Sequence, residues 1–176
     1  MDVIDAIKKR RSIRKYKDRS VPKNIMNSIL DAARYAPTAR NMQELDYKII
    51  TSKSLMQKIS DRIRVLQEKE SLSIQTKDSS NLFHGAPLLI IITGPVDNKW
   101  TYIDAAIAAE TIMLYATSIG LGTCFIGTAR FIDKDTELLN ELHILEGNRV
   151  AATVACGYPD EVPAEKERKL NAEFFE

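Results

Sequence analysis

The chain reads as a series of apolar stretches whose period switches between helical and strand-like. Val3, Ile4 and Ile7 form an apolar stripe behind Asp2 and Asp5, which resemble an N-cap pair, and together they predict a first helix ending near Arg11. Pro22 suits the first position of a second helix. Ile25, Ile29, Ala32, Ala33 and Ala36 continue it until Pro37 stops it. The loop TARNMQE then leads to a short strand over 47–51. Residues 53–70 put Leu55, Ile59, Ile63 and Leu66 on one face and charges on the other, which predicts a third helix. The Ser-, Thr- and Lys-rich run 71–81 has no period and predicts a mobile surface loop. The continuous apolar run 86–93 suits a central strand covered on both faces.

Thr101 with Asp104 predicts a capping pair that opens an apolar helix running to about Ile119. The only charge in that helix after Asp104 is Glu110, so it belongs in the core or at a subunit interface. Gly120 ends it. A strand over 123–127, a helix over 133–142 and an apolar strand over 150–156 follow. The tail PAEKERKLNAEFFE is polar until its two phenylalanines. With no internal repeat and no linker, 176 residues predict a single domain over 1–176.

A formal net charge of +1 argues against broad nucleic-acid binding, although KKRR at 8–11 is locally basic. No charged-then-apolar leader follows Met1-Asp2, so no signal peptide is expected. Residues 111–129 are uncharged and long enough to span a membrane, but Gly120, Gly122 and Gly127 interrupt them. A buried helix followed by a buried strand is the expectation, in a soluble, cytoplasmic protein. Cys124 and Cys156 lie in apolar runs without CxxC spacing and are expected to be inert core thiols. His84 and His143 stand alone, and no group of His, Cys and carboxylates has metal-ligand spacing, so no metal site is expected.

Candidate chemistry concentrates in RRSIRKY at 10–16. Guanidinium forks suit phosphate and other planar acceptors. If this segment is extended, Ser12, Arg14 and Tyr16 share one side and Ile13 and Lys15 the other, which makes a small anion clamp with an aromatic wall. Arg10 and Arg11 equally suit the C-terminal end of the first helix, where the dipole favours cations. APTARNMQ at 36–43 joins a helix stop to a hydroxyl and two amides. It reads either as a capping turn or as a set of groups suited to the edge of a heterocycle. GLGTCFIG at 120–127 lacks the GxGxxG spacing and follows a helix rather than a strand, so a dinucleotide fingerprint is rejected. Its glycines suit a helix cap and a close approach of backbone to a neighbour or to a flat ligand facing Gly127.

RRSIRKY, APTARNMQ, HGAPLLIII, GLGTCFIG and GYP followed by KER occur in the order found in the nitroreductase family, which the chain resembles over nearly its whole length. The resemblance implies an α+β three-layer sandwich, with a central, mostly antiparallel sheet flanked by helices, in an intertwined homodimer. It implies an FMN-dependent oxidoreductase that passes electrons from NADH or NADPH through flavin N5 to a nitroaromatic, quinone or related small acceptor. A same-fold enzyme with a narrower task, such as enone reduction or dehalogenation, and a non-catalytic flavin module are the alternatives. By the same resemblance, Arg10, Ser12 and Arg168 would hold the FMN phosphate, with Lys166 nearby. Arg11 and Arg14 would lie along the phosphate–ribityl and flavin N1/O2 side. Pro37, Thr38, Ala39 and Asn41 would line the flavin from the partner subunit, and Ile126 and Gly127 would lie against the ring. Residues 53–85 would form a small, variable lid-like segment, and the tail would begin near 160. Glu44-Leu45 departs from the Pro-Trp frequent in the family, and Glu110 stands where many members carry Gln or Asn.

Overall fold

The computed structural model describes residues 1–70 and 81–175. Except for Asn81, the segment 71–81 expected to be a mobile loop lies outside the described residues. Strands β1 (Asp46–Ile50), β2 (Leu88–Pro95), β3 (Gly122–Phe125) and β4 (Asn148–Gly157) form an antiparallel sheet in the order β1-β2-β4-β3. The α-helices are α1 (Val3–Lys9), α2 (Lys23–Arg34), α3 (Lys53–Lys69), α4 (Thr101–Ser118) and α5 (Thr136–Glu141).

The central strand accounts for the layering. Every residue from Leu88 to Ile92 is at most 1% exposed. Alternation sends Leu88, Ile90 and Ile92 toward α4 and α2, where they pack with Ile112, Ala109 and Ile29. Leu89 and Ile91 face the other way and pack with Met56, Ile59 and Ile63 of α3 and with Phe131. The sheet is therefore sandwiched between two helical layers, as the α+β three-layer expectation requires. Small residues (Ala105, Ala108, Ala109 and Ala116) form much of the buried side of α4 and let it lie close to the sheet.

Several expected local features differ. The Thr101–Asp104 capping pair does not form. The buried Thr101 hydroxyl instead donates to the Pro95 carbonyl at 2.7 Å, and Asp104 reaches out of its helix to Ala39. Pro22 is the N-cap of α2 rather than its first residue, and α1 stops at Lys9. The helix expected over 133–142 is split into a 3-10 stretch, Gly127–Lys134, and α5. Asp135 sits between them in extended conformation, bound to Arg62, and caps α5 by accepting the Leu138 N–H at 3.1 Å. The α1 stripe also faces outward. Val3, Ile4 and Ile7 are 73%, 54% and 49% exposed, and Ala6 is the buried residue of that helix.

The segment after α1 extends the sheet beside β3. Ser12 bridges Thr123 in parallel, the Ile13 N–H donates to the Thr123 carbonyl at 2.8 Å, and Tyr16 bridges Pro159. This close seating depends on Gly122, where an added Cβ would lie 2.5 Å from Cγ1 and 3.0 Å from Cβ of Ile13. Gly122→Ala is therefore expected to destabilise the protein by about 1–3 kcal/mol through overpacking, read as a lower urea midpoint with unchanged slope.

Candidate functional site

The strand-like seating of residues 12–16 sorts their side chains. Ile13 is buried against Gly122, while Tyr16 packs into the core cluster that contains Cys124 and Ala155. The Tyr16 hydroxyl donates to the Ile13 carbonyl at 2.8 Å, and burial pushes its pKa above the ordinary phenol value, so it stays a neutral donor. Arg14 is exposed, and its charge reaches Tyr16, Cys124 and His84. Burial raises the Cys124 thiol pKa, and the Arg14 charge and the Ser12 hydroxyl act against it. Ser12, Arg14 and Tyr16 thus gather on one side, as the extended spacing predicts.

Two members of this cluster escaped the sequence reading. Burial, with help from the Arg14 charge, holds the His84 pKa below the usual imidazole value and keeps the ring neutral at neutral pH. Glu161 is the second: its carboxylate accepts the Arg14 N–H and, at 3.1 Å, the Lys15 N–H. Glu161 is 146 residues from Lys15 along the chain, and no local pattern announces the contact.

Arg10 and Arg11 part company. Nε of Arg10 lies 3.3 Å from Glu110 of α4. Arg11 donates to the carbonyls of Lys8 and Arg10 and pairs with Glu165 at 3.2 Å, so it does the work of a helix C-terminal cation. Arg11 and Ile13 line a cavity of about 510 Å³ under the tail residues Val162 and Glu165.

The loop after α2 is a tightly bonded unit. The Thr38 hydroxyl accepts the Gln43 N–H at 3.1 Å, Asn41 Oδ1 accepts from Gln43 Nε2 at 3.0 Å, and Asp104 accepts the Ala39 N–H at 3.0 and 3.2 Å. Arg40, Asn41 and Gln43 adopt φ of 52°, 55° and 54°. Such left-handed non-glycine residues each carry about 1–3 kcal/mol of strain, which the surrounding bonds must offset. Pro37 and Asn41 are exposed, while Thr38 and Gln43 line a cavity of about 340 Å³ with Leu45 and Tyr47.

At the far end of β3, the buried Ile126 donates its N–H to the Thr153 carbonyl at 2.8 Å. Gly127 is exposed, and an added Cβ there would meet nothing within 4 Å, so its backbone faces open space. Gly120, at φ 83°, lies just past the end of α4, where only glycine is unstrained. Lys166 and Arg168 are exposed in a tail without helix or strand.

Arg10 and the 38–43 loop are both anchored on α4, through Glu110 and Asp104. These anchors are six residues apart, about 9 Å along the axis and roughly a third of a turn around it. Arg11 and Thr38 line different cavities. Residues 12–16 are brought together with each other, while Ile13 and Thr38 line separate cavities.

A family model described as the nitroreductase family matches residues 7–158. The chain belongs to the nitroreductase family. It is 31% identical, over 172 residues, to a protein of Methanothermobacter thermautotrophicus provisionally named an NADH dehydrogenase/NAD(P)H nitroreductase; the match covers 95% of this chain and 82% of that one. A 4-nitrobenzoate reductase of Pseudomonas putida is 23% identical, with 91% and 87% covered. The crystal structure of a nitroreductase with bound FMN from Bacteroides fragilis superposes with a TM-score of 0.85 at 27% identity, covering 98% of this chain and 96% of that one. Lys166 and Arg168 lie beyond the part of this nitroreductase-family chain that the family model matches.

The contact of Arg10 with Glu110 gives an electrostatic expectation. Glu110 is half-exposed, so the pair is worth about 0.2–1 kcal/mol. Glu110→Gln removes the carboxylate that competes for Arg10 and should raise the affinity for inorganic phosphate, by less than about fivefold, measured by calorimetric titration. Unchanged phosphate binding would show that Arg10 takes no part in an anion site.

Proposed function

We propose that this chain is an FMN-dependent oxidoreductase that carries electrons from NADH or NADPH to a small acceptor, a nitroaromatic, a quinone or a relative of these. The observation that carries the reading is the donor set at 10–16: a guanidinium fork at Arg10, the Ser12 hydroxyl and the Arg14 cation, placed beside β3, just after which Gly127 presents open backbone. The chemistry of that set fits a phosphate attached to a flat ring system. A phosphate wants two or three charge-assisted bonds, each worth about 1.5–3 kcal/mol. The absence of any side chain at Gly127 leaves room for a plane to lie against the chain.

FMN, when bound, supplies the hydride and electron transfer; this chain's residues bind, orient and tune. Arg10 has its Nε on Glu110, which leaves the two terminal nitrogens of its fork for an anion. Ser12 adds a hydroxyl, and Lys166 and Arg168 bring two exposed tail cations. Arg14 is the cation suited to stabilising negative charge at the N1/O2 edge. Pro37, Thr38, Ala39 and Asn41 would wall the ring, and Ile126 and Gly127 would lie against its other side.

A second copy of the chain would complete this site. Within one chain Thr38 lines one cavity and Arg11 and Ile13 another, which supports contributions from two subunits. Val3, Ile4 and Ile7 of α1 and Ile103 and Ile107 of α4 are exposed, as are Phe174 and Phe175 at 89% and 88%. So much apolar surface suits an interface.

Purified protein should show a visible band at about 450 nm from bound flavin, release FMN rather than FAD on denaturation, and have twice the chain mass by light scattering. Colourless protein that cannot be reconstituted with FMN would refute the reading, and a flavin-loaded monomer would refute the shared site. Substitutions separate the roles within it. A cation at the edge of a partly solvated site contributes about 1–2 kcal/mol, so Arg14→Met should lower the flavin potential by roughly 20–45 mV for a two-electron couple. Arg168→Met should instead weaken FMN binding by about 1.5–3 kcal/mol. Redox titration and fluorescence quenching on both variants check this; loss of FMN from Arg14→Met with the potential unchanged would make Arg14 a phosphate ligand.

A further inference from the structure

Asp104 is a carboxylate only 5% exposed, in the first turn of α4. A buried carboxylate needs a donor, and leaving it unbonded is expensive. The donor that Asp104 takes lies outside its own helix. Both of its oxygens sit on the Ala39 N–H, at 3.0 and 3.2 Å, 65 residues away in sequence. Ala39 opens the loop in which Arg40, Asn41 and Gln43 all hold left-handed backbone although none is glycine. The bonds of Thr38 and Asn41 to Gln43 close that loop on itself. The bond to Asp104 joins it to a helix packed in the core.

We propose that Asp104 is the positioning residue for the ring-facing part of the cofactor site: it holds the Thr38–Gln43 loop in its strained shape before any flavin arrives. The proposal rests on the reading that this loop walls the flavin. A preformed loop spares binding the ordering of several residues, which otherwise weakens affinity. The ring system is common to FMN and riboflavin, so Asp104 acts on affinity for both, whereas the phosphate residues act on FMN alone.

The test uses the full chain with Asp104→Asn and Asp104→Ala. Asparagine keeps the shape and one acceptor oxygen, and it serves if the alanine variant fails to fold. In flavin-free protein, exchange of the Ala39 amide, followed by NMR, should be slow in the wild type. It should accelerate roughly tenfold or more in Asp104→Ala, the scale of one hydrogen bond to a charged group, and by less in Asp104→Asn. Dissociation constants for riboflavin and FMN, from fluorescence quenching, should rise by the same factor as each other in each variant. Arg10→Gln should raise the constant for FMN alone. Unchanged Ala39 exchange would overturn the proposal, and so would faster exchange with riboflavin binding unmoved. Wild-type protein that binds neither ligand would instead overturn the flavin reading, and with it the role of the loop, while Ala39 exchange would still report whether Asp104 holds it.

Discussion

The strand from Leu88 to Ile92 is closed to water on both faces, and most of the architecture follows from covering it. One face needs α4 and α2, the other needs α3 and the turns around Phe131. An antiparallel strand normally alternates apolar and polar residues, because one side of its sheet is wet. This one is apolar throughout because helices occupy both sides. A helix pressed against such a strand must itself be small and apolar, which explains the alanines of α4. It also leaves α4 with very few places for a charge.

The two charges that α4 does carry, Asp104 and Glu110, both reach segments from elsewhere in the chain. Asp104 is buried and holds the 38–43 loop; Glu110 is half-exposed and touches Arg10. Their energetics differ accordingly. The exposed pair is screened and replaceable, whereas the buried carboxylate is committed to its one amide. Polar groups suited to a cofactor therefore stand at the ends and rim of an apolar sandwich, held by whatever polar contacts the core allows.

The chain leaves unusual amounts of apolar surface uncovered. The outer side of α1, Ile103 and Ile107 of α4 and the phenylalanines of the tail all face outward. The two segments suited to a cofactor are each tied to α4 by one side chain, six residues apart, at Asp104 and Glu110. The second copy proposed for the site would cover these apolar residues and bring its loop to the anion clamp of the first. Among the described residues, no helix is long and apolar enough to cross a membrane, so a bilayer-spanning helix offers no competing account of the apolar stretch after Thr111.

Periodicity and capping are local, and what depends on them was legible in the sequence. The apolar run of β2, the amphipathic α3, the stop at Pro37 and the glycine after α4 all lie close to where the pattern put them. So does the common side of Ser12, Arg14 and Tyr16, because an extended backbone alternates its side chains wherever it is placed. The ordered motifs carried the family for the same reason: each is a short segment whose chemistry is written in consecutive residues. Tertiary structure alone decided the partners. It took Asp104 from an expected helix cap and gave it to Ala39, while the Thr101 hydroxyl donates to the Pro95 carbonyl; the buried carboxylate needed a donor and found one in the Ala39 N–H. It put Glu110 on Arg10, Glu161 on the amides of Arg14 and Lys15, and His84 within reach of the Arg14 charge. It turned the stripe of α1 outward, since among the described residues no element covers that side. The contacts of Asp104, Glu110, Glu161 and His84 join residues 65 to 147 positions apart, and a hydrogen bond or ion pair depends on distance in space, which no spacing along the chain specifies.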